Sequence, residues 1–343
     1  MEDYIRIFKG GTYTTASSAS ENETGRLLPS VRLCPPSKRV REEDRGGSPP
    51  KINKVIVFDI DETIGSFYEL MLLWNGLEEF GIYLNQEFFN DLLDMYPEFL
   101  RYGIITIFEY LLHKKRTRDC HKVFIYTNNI YSPEFPMRIK KYFDYKLKTT
   151  DFFDQIICAF KVNGKIIEPS RTTNHKTYDD FMKCTVLPPN TETCFIDNTY
   201  YEKMNHEKVY YIQSKPYNHG LSSSEIMQRF FHSQLYDQIV GAIANIKDPK
   251  GNYGNIENDV KTHFTRAMKK GRTKPKVDME IDLMVTQKMM SCIEDFFNHV
   301  SPSPPLSIKS NNDERKGKGP SNNKTKRNWY PLCKWRRSTA KTY

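Results

Sequence analysis

Lys54-Val55-Ile56-Val57-Phe58-Asp59-Ile60-Asp61-Glu62-Thr63 is the stretch on which the fold turns. Its four consecutive apolar residues, Val55 to Phe58, suit a strand buried on both faces, as in a parallel sheet covered by helices. Polarity returns abruptly at Asp59, so the strand is expected to end there. Both Asp59 and Asp61 then sit at its carboxyl edge, the edge at which open α/β sheets bind their ligands. As the chain leaves the strand, the two carboxylates can face one crevice. On its own, D-x-D-x-T is a weak signal, because acidic pairs at strand ends also cap helices.

Three more apolar runs share that character: KVFIYTNN at 122–129, TCFIDN at 193–198 and VYYIQ at 209–213. Helical spacing separates them, over 99–113 (FLRYGIITIFEYLLH) and over 176–184 (KTYDDFMKC), the latter ending before Pro188-Pro189. Strands alternating with helices predict an α/β layered domain with a central, mostly parallel sheet. Asn163-Gly164 interrupts the pattern. It sits between two short apolar runs within 156–168, which predicts a β-hairpin insertion. A helix is expected from SSSEIMQRFF onward, closing the domain near 245.

Residues 1–50 are rich in Ser, Thr, Gly, Pro and charge, and are expected to be disordered. Residues 246–300 read as a linker, with a helix near 255–269, followed by an amphipathic helix. That helix places Ile281, Val285, Met289, Cys292, Phe296 and Val300 on one face, to pack on the core or a partner. Residues 301–343 hold 11 of the 51 Lys+Arg and 2 of the 42 Asp+Glu, so this tail carries the whole +9 excess and the rest is neutral. A basic, disordered tail attracts polyanions. Its end, WYPLCKWRRSTAK, interleaves aromatic and basic residues and could make weak nucleic-acid contacts.

The seven cysteines form no C-x-x-C pair, which argues against a disulfide framework or a zinc site and for a reducing, intracellular setting, nucleus or cytoplasm. The first residues lack the apolar core of a secretory signal, and no apolar run is long enough to span a bilayer, so no membrane association is expected. The absence of a G-x-x-x-x-G-K-[ST] loop argues against nucleotide phosphotransfer.

Two further strand ends strengthen the acidic pair. The second strand ends in Thr127-Asn128, whose hydroxyl and amide groups suit a phosphate oxygen, and the third ends in Asp197-Asn198. Three carboxylates meeting in one crevice repel one another unless a cation is present, and oxygen ligands select Mg²⁺. Clustering also raises a carboxyl pKa, which lets one of them hold a proton and act as an acid. Lys176 precedes a helix, where its charge opposes the macrodipole unless an anion is near. It is the first candidate to bind phosphate, and Lys183 is the second.

The order D-x-D-x-T, hydrophobic-Thr-Asn, Lys, hydrophobic-Asp-Asn resembles the haloacid dehalogenase-like phosphotransferases. Within them, FDIDET…FIDN is most similar to the RNA polymerase II C-terminal-domain phosphatases and their small relatives. The resemblance covers 52–215 and includes the Arg-helix-strand stretch 101–127 and the hairpin before the lysine. It departs in two places. Thr127-Asn128-Asn129 stands where that family usually has Thr-Ala-Ser, and Lys176 lies farther from Asp197 than is usual. Divergent members of the family occur in large DNA viruses, and the long flanks suit one of those.

The resemblance implies a Rossmann-like haloacid dehalogenase fold with a small cap, and a Mg²⁺-dependent phosphatase. Asp59 would be the nucleophile that becomes an aspartyl-phosphate, and Asp61 the general acid and base. Thr127 and Lys176 would hold the phosphoryl oxygens, with Thr63 and Asn128 also touching substrate. Asp59, Asp61 (through its main-chain carbonyl), Asn198 and Asp197 would hold the metal. The expected substrate is a phosphoprotein, such as the RNA polymerase II C-terminal repeat. The stretch between Thr63 and Arg101 is too short for a large cap domain, and Phe67, Tyr68 and Trp74 within it are candidates to touch substrate, although for Trp74 a helix packed on the core is the stronger reading. Three alternatives stay open: a nucleic-acid 3′-phosphatase, a small-molecule phosphatase on the same fold, and a non-catalytic module acting through its basic tail.

Overall fold

The computed structural model describes residues 4–10, 12–14, 52–80, 84–129, 134–247, 256–268 and 278–298. The expectations of disorder over 15–50 and of a free basic tail over 301–343 lie outside these residues. The described chain forms strands β1 (Ile5–Lys9), β2 (Thr12–Thr14), β3 (Lys54–Phe58), β4 (Lys122–Tyr126), β5 (Gln155–Ile157), β6 (Lys161–Val162), β7 (Lys165–Ile166), β8 (Glu192–Asp197) and β9 (Val209–Ser214). Helices are α1 (Tyr68–Glu78), α2 (Gln86–Asp94), α3 (Ile104–Arg116), α4 (Phe135–Lys146), α5 (Tyr178–Thr185), α6 (Ser223–Phe231), α7 (Gln234–Lys247), α8 (Ile256–Met268) and α9 (Met279–Asn298).

Seven strands make one sheet in the order β2-β1-β9-β8-β3-β4-β5. The five from β9 to β5 are parallel, and β1 adds antiparallel to the β9 edge. A mostly parallel sheet flanked by helices makes this a mixed α/β protein compatible with a Rossmann-like fold. β3 lies at the centre because it is apolar on both faces. Ile56 and Phe58 join one hydrophobic cluster and Val55 and Val57 the other. The same alternation runs through Val123/Phe124, Cys194/Phe195 and Tyr210/Tyr211. The larger cluster includes side chains from every helix except α5, which packs on the opposite face through Tyr178 and Phe181.

Several elements differ from the sequence expectation. Residues 5–9 form a strand on the sheet, so the first fifty residues are not uniformly disordered. Their alternation, with Ile5 and Ile7 buried and Arg6 exposed, turns one face of the strand to the core. The helix expected from 99 starts at Ile104, because Gly103 takes a left-handed φ of 77° ahead of it. Asn163-Gly164 makes the expected tight turn, with φ of 49° and 78°. The hairpin is only β6 and β7, however, since Ile156 and Ile157 pair with β4 in the main sheet. Phe67 and Trp74 are core residues at 1% and 3% exposure, Trp74 as the core reading expected and Phe67 not a substrate contact, while Tyr68 is partly buried against the same core. Finally, α8 and α9 are part of the domain core. Val260, Phe264, Met289, Cys292, Ile293 and Phe296 share the cluster with the sheet, and the compact unit extends to Ser301 rather than closing near 245. Within that unit Lys54 donates to the carbonyls of Phe296 and Phe297 at 2.8 and 3.1 Å, tying the end of α9 to the start of β3. The second unit, Pro302–Tyr343, lies outside the described residues.

Candidate active site

β3 has β4 on one side and β8 on the other, with Phe58 in register with Ile125 and Ile196. The chain therefore winds away from β3 in both directions, and its carboxyl end is the switch point where an α/β sheet opens a crevice. Asp59 leaves β3 with its amide donating to the Ile196 carbonyl at 2.9 Å, which holds it level with the end of β8. Asp197 is the last residue of β8, and Thr127 follows the end of β4.

Lys176 joins these ends. Its Nζ donates to Asp59 Oδ1 at 2.5 Å and to Asp197 Oδ2 at 2.6 Å, and it is 1% exposed. The position follows from local sequence. Thr177, with an extended backbone (φ −134°, ψ 149°), caps α5 by accepting from the Asp180 amide at 3.0 Å, so Lys176 lies just ahead of the helix. Lys183, the second candidate, is exposed in the last turn of α5. Lys176 also faces the rings of Tyr126, Phe195 and Tyr201 at 5.4–5.8 Å.

Burial alone would lower the Lys176 pKa, but the Asp197 and Asp59 carboxylates outweigh it and hold the ammonium above its ordinary value. Burial raises Asp197, against the pull of Lys176. Its second oxygen accepts from the Thr199 amide at 2.7 Å. Burial, and then the Asp59 carboxylate, push the Asp61 carboxyl up to about 7. Asn129 donates to Asp61 Oδ2 at 2.9 Å and works the other way. A carboxyl pushed up to about 7 is suited to giving and taking a proton near neutrality.

The remaining expected residues meet here in supporting positions. The Thr127 side chain is fully buried and its Oγ1 accepts from the Asn129 amide at 3.0 Å. Asn128 is held between Arg171, which donates to its Oδ1 at 2.8 Å, and Tyr201, whose hydroxyl accepts at 3.1 Å. Thr63 is also fully buried. Its Oγ1 accepts from the Asn198 amide at 3.0 Å and lies 3.4 Å from Asp59 Oδ2 and 3.3 Å from Asn198 Oδ1. That hydroxyl braces the site rather than meeting substrate.

Those last two distances bear on a metal. One hydroxyl hydrogen cannot satisfy both Asp59 Oδ2 and Asn198 Oδ1, so a lone pair on one of them is left without a donor. The two atoms, with the Asp61 main-chain carbonyl nearby in the chain, form an oxygen-only set that suits a hard cation such as Mg²⁺. Asp197 accepts from Lys176 on one oxygen and from the Thr199 amide on the other. Among the described residues no group of three or more His, Cys, Asp or Glu is arranged to hold an ion, so any metal here relies on the asparagine and on water.

Three residues that the sequence reading did not assign complete the site. Asn129 is the partner of Asp61. Arg171, 2% exposed, donates to the carbonyls of Thr127, Cys158 and His175 at 3.1, 2.7 and 3.3 Å, which clamps the Lys176 loop against the end of β4. Arg101, 1% exposed, does the same for the Asp59–Thr63 turn. Asn129 carried a signal as a polar residue adjoining Thr127-Asn128, and Arg101 as the arginine that opens the 101–127 stretch of the resemblance; nothing in the sequence singled out Arg171.

No protein-family model matches this chain, and neither a curated protein nor a solved structure matches it. Among the described residues, no helix is long and apolar enough to cross a membrane.

Proposed function

We propose that the protein is a Mg²⁺-dependent phosphatase of the haloacid dehalogenase-like kind, working through a phosphorylated Asp59. The observation that carries this reading is the buried Asp59–Lys176–Asp197 bridge at the carboxyl edge of three adjacent strands, with the protonatable Asp61 beside it. A buried ion triad gains little stability over apolar packing, so its presence at a ligand-binding edge points to chemistry.

In this reading Asp59 attacks phosphorus, and the phosphoryl group moves from the substrate oxygen to the Asp59 carboxylate. Asp61 gives its proton to the departing alkoxide, then takes one from the water that releases phosphate. Lys176, kept charged by its two carboxylates, orients Asp59 and offers its ammonium to the phosphoryl oxygens, where electrostatic stabilisation dominates. Asp197 holds Lys176 in place. Asp59, the Asp61 carbonyl and Asn198 would hold Mg²⁺, which supplies charge neutralisation between nucleophile and phosphate when bound.

The substrate class we propose is supported by the 64–100 segment. Its Phe67, Leu70, Trp74, Phe89 and Leu92 are in the core, so among the described residues that segment does not cover the strand ends as a cap domain. A site without a large cap would favour a protruding phosphoserine or phosphothreonine in a peptide, for which the RNA polymerase II C-terminal repeat is the first candidate. The test uses the full chain with Mg²⁺ on p-nitrophenyl phosphate, a phosphoserine peptide and a 3′-phosphorylated oligonucleotide. Turnover of the first two that Asp59→Asn abolishes is expected. Preference for the oligonucleotide would move the substrate to nucleic acid, and no turnover on any of them would remove the phosphatase reading.

A further inference from the structure

We propose that Glu62, locked in a left-handed turn by the buried Arg101, is the positioning residue that fixes the Asn198 amide with its oxygen toward Asp59 and so sets the Mg²⁺ affinity of the site. The inference rests on the phosphatase reading for the choice of ion, and it gives Glu62 and Arg101 roles that the motif match did not assign.

The first observation is the amide itself. Asn198 Nδ2 donates to Glu62 Oε2 at 3.0 Å. An ionised carboxylate only accepts, so the amide nitrogen must face Glu62. The oxygen then necessarily faces the other way, 3.3 Å from Thr63 Oγ1, which is itself 3.4 Å from Asp59 Oδ2. Without Glu62 nothing at that contact distinguishes the amide from its flipped form, which would aim a donor at the cation's side.

The second observation is how Glu62 is held. Its φ is +59°, a region that non-glycine residues occupy at a cost of about 1 kcal/mol. The turn is closed by Glu62 N donating to the Gly65 carbonyl at 2.7 Å and Ile64 N to the Ile60 carbonyl at 3.0 Å. Arg101 then grips it from below, with Nε on the Thr63 carbonyl at 2.5 Å and Nη2 on the Glu62 and Lys215 carbonyls, both at 2.8 Å. Tyr217 N is a second donor to the Glu62 carbonyl at 2.8 Å. A strained backbone pinned at two successive carbonyls by a buried guanidinium aims the Glu62 side chain, and that side chain aims Asn198.

Residues that orient metal ligands typically change metal affinity by about 10–100-fold when removed. The test is calorimetric titration of the full chain with Mg²⁺, which reads binding without turnover. Glu62→Gly suits the left-handed φ, so the fold and melting temperature should be kept while Mg²⁺ binding weakens about 10-fold or more. Glu62→Gln keeps an acceptor oxygen for Asn198 and should bind within about 3-fold of the natural chain. Adding Glu62→Gly to Asn198→Ala should change nothing further, because Glu62 acts through that amide. If the natural chain binds Mg²⁺ and Glu62→Gly binds equally well, or if the two substitutions add, the positioning role is overturned while the phosphatase reading stands. A natural chain that turns over substrate with no Mg²⁺ binding overturns the magnesium assignment and this inference together.

Discussion

Lys176 and Asp59 stand 117 positions apart in the chain and meet at 2.5 Å in the interior, with Asp197 closing the bridge from the other side. Nothing local brings them together. β3 and β8 supply the carboxylates as neighbouring parallel strands, and the cap at Thr177 keeps Lys176 out of α5 so that it can extend to them.

The bridge makes Lys176 the lysine on which stability, and in the proposed reading turnover, should depend. Lys176→Met strands two buried carboxylates and should destabilise the protein by about 3–5 kcal/mol at pH 8. The loss should shrink at pH 5, where protonation of Asp197 relieves the unpaired charge. Lys183→Ala, on the exposed face of α5, should change stability by less than about 0.5 kcal/mol and leave turnover unaltered. Urea melts of both variants at the two pH values check this, and equal effects from the two lysines would contradict the assignment.

Asp61 gives a signed pH dependence. Its folded pKa of about 7 lies above the unfolded value of 3.8, so between those values the folded state binds the proton more tightly. In the metal-free protein this contribution to stability is full below about pH 4 and is lost as pH rises through 7. Asp61→Asn removes the titration and should stabilise the metal-free protein above pH 7, on the order of 1–2 kcal/mol after allowing for its partial exposure. Denaturant midpoints from pH 5 to 8.5 in EDTA read it. A variant whose pH slope matches the natural chain would refute the raised pKa.

Asn129 stabilises the charged form of Asp61 through its 2.9 Å hydrogen bond. Asn129→Ala should therefore raise the Asp61 pKa further and move the alkaline limb of the kcat profile to higher pH. Because Asp61 also loses an orienting partner, kcat at its optimum should fall about 10-fold. A profile that drops in height without shifting would assign Asn129 to packing alone.

A chain cut at 245 loses α8 and α9 and with them the buried Val260, Phe264, Val285, Met289, Cys292, Ile293 and Phe296. At about 1.5–3 kcal/mol for each fully buried side chain, that loss is comparable to the whole stability of a domain. The truncated chain should be insoluble or molten, judged by near-ultraviolet circular dichroism, whereas one ending at 301 should melt cooperatively. A well-folded 45–245 fragment would show that these helices are dispensable.

The strands carrying Asp59, Thr127 and Asp197 were legible because each is a short, doubly buried apolar run that ends abruptly in polar residues, a pattern only a covered parallel sheet explains. Lys176 was legible by its place before a helix start, and the Asn163-Gly164 turn by its dipeptide. The limits of α3 were misread because apolar spacing continues back through Phe99 and Leu100, while the left-handed Gly103 interrupts the backbone.

By itself the sequence determined the α/β class and the order in which its chemical groups emerge, because burial on both faces and the residue types at strand ends are local properties of the chain. Only the tertiary structure decided that Ile5–Lys9 joins the sheet and that α9 belongs to the core, since both depend on distant surfaces to cover. It also decided that Lys176 rather than Lys183 enters the crevice and that Arg101 and Arg171 serve as internal clamps. A basic residue looks the same in sequence whether water or a set of backbone carbonyls receives its hydrogen bonds, and that choice is made by elements folding over it from far along the chain.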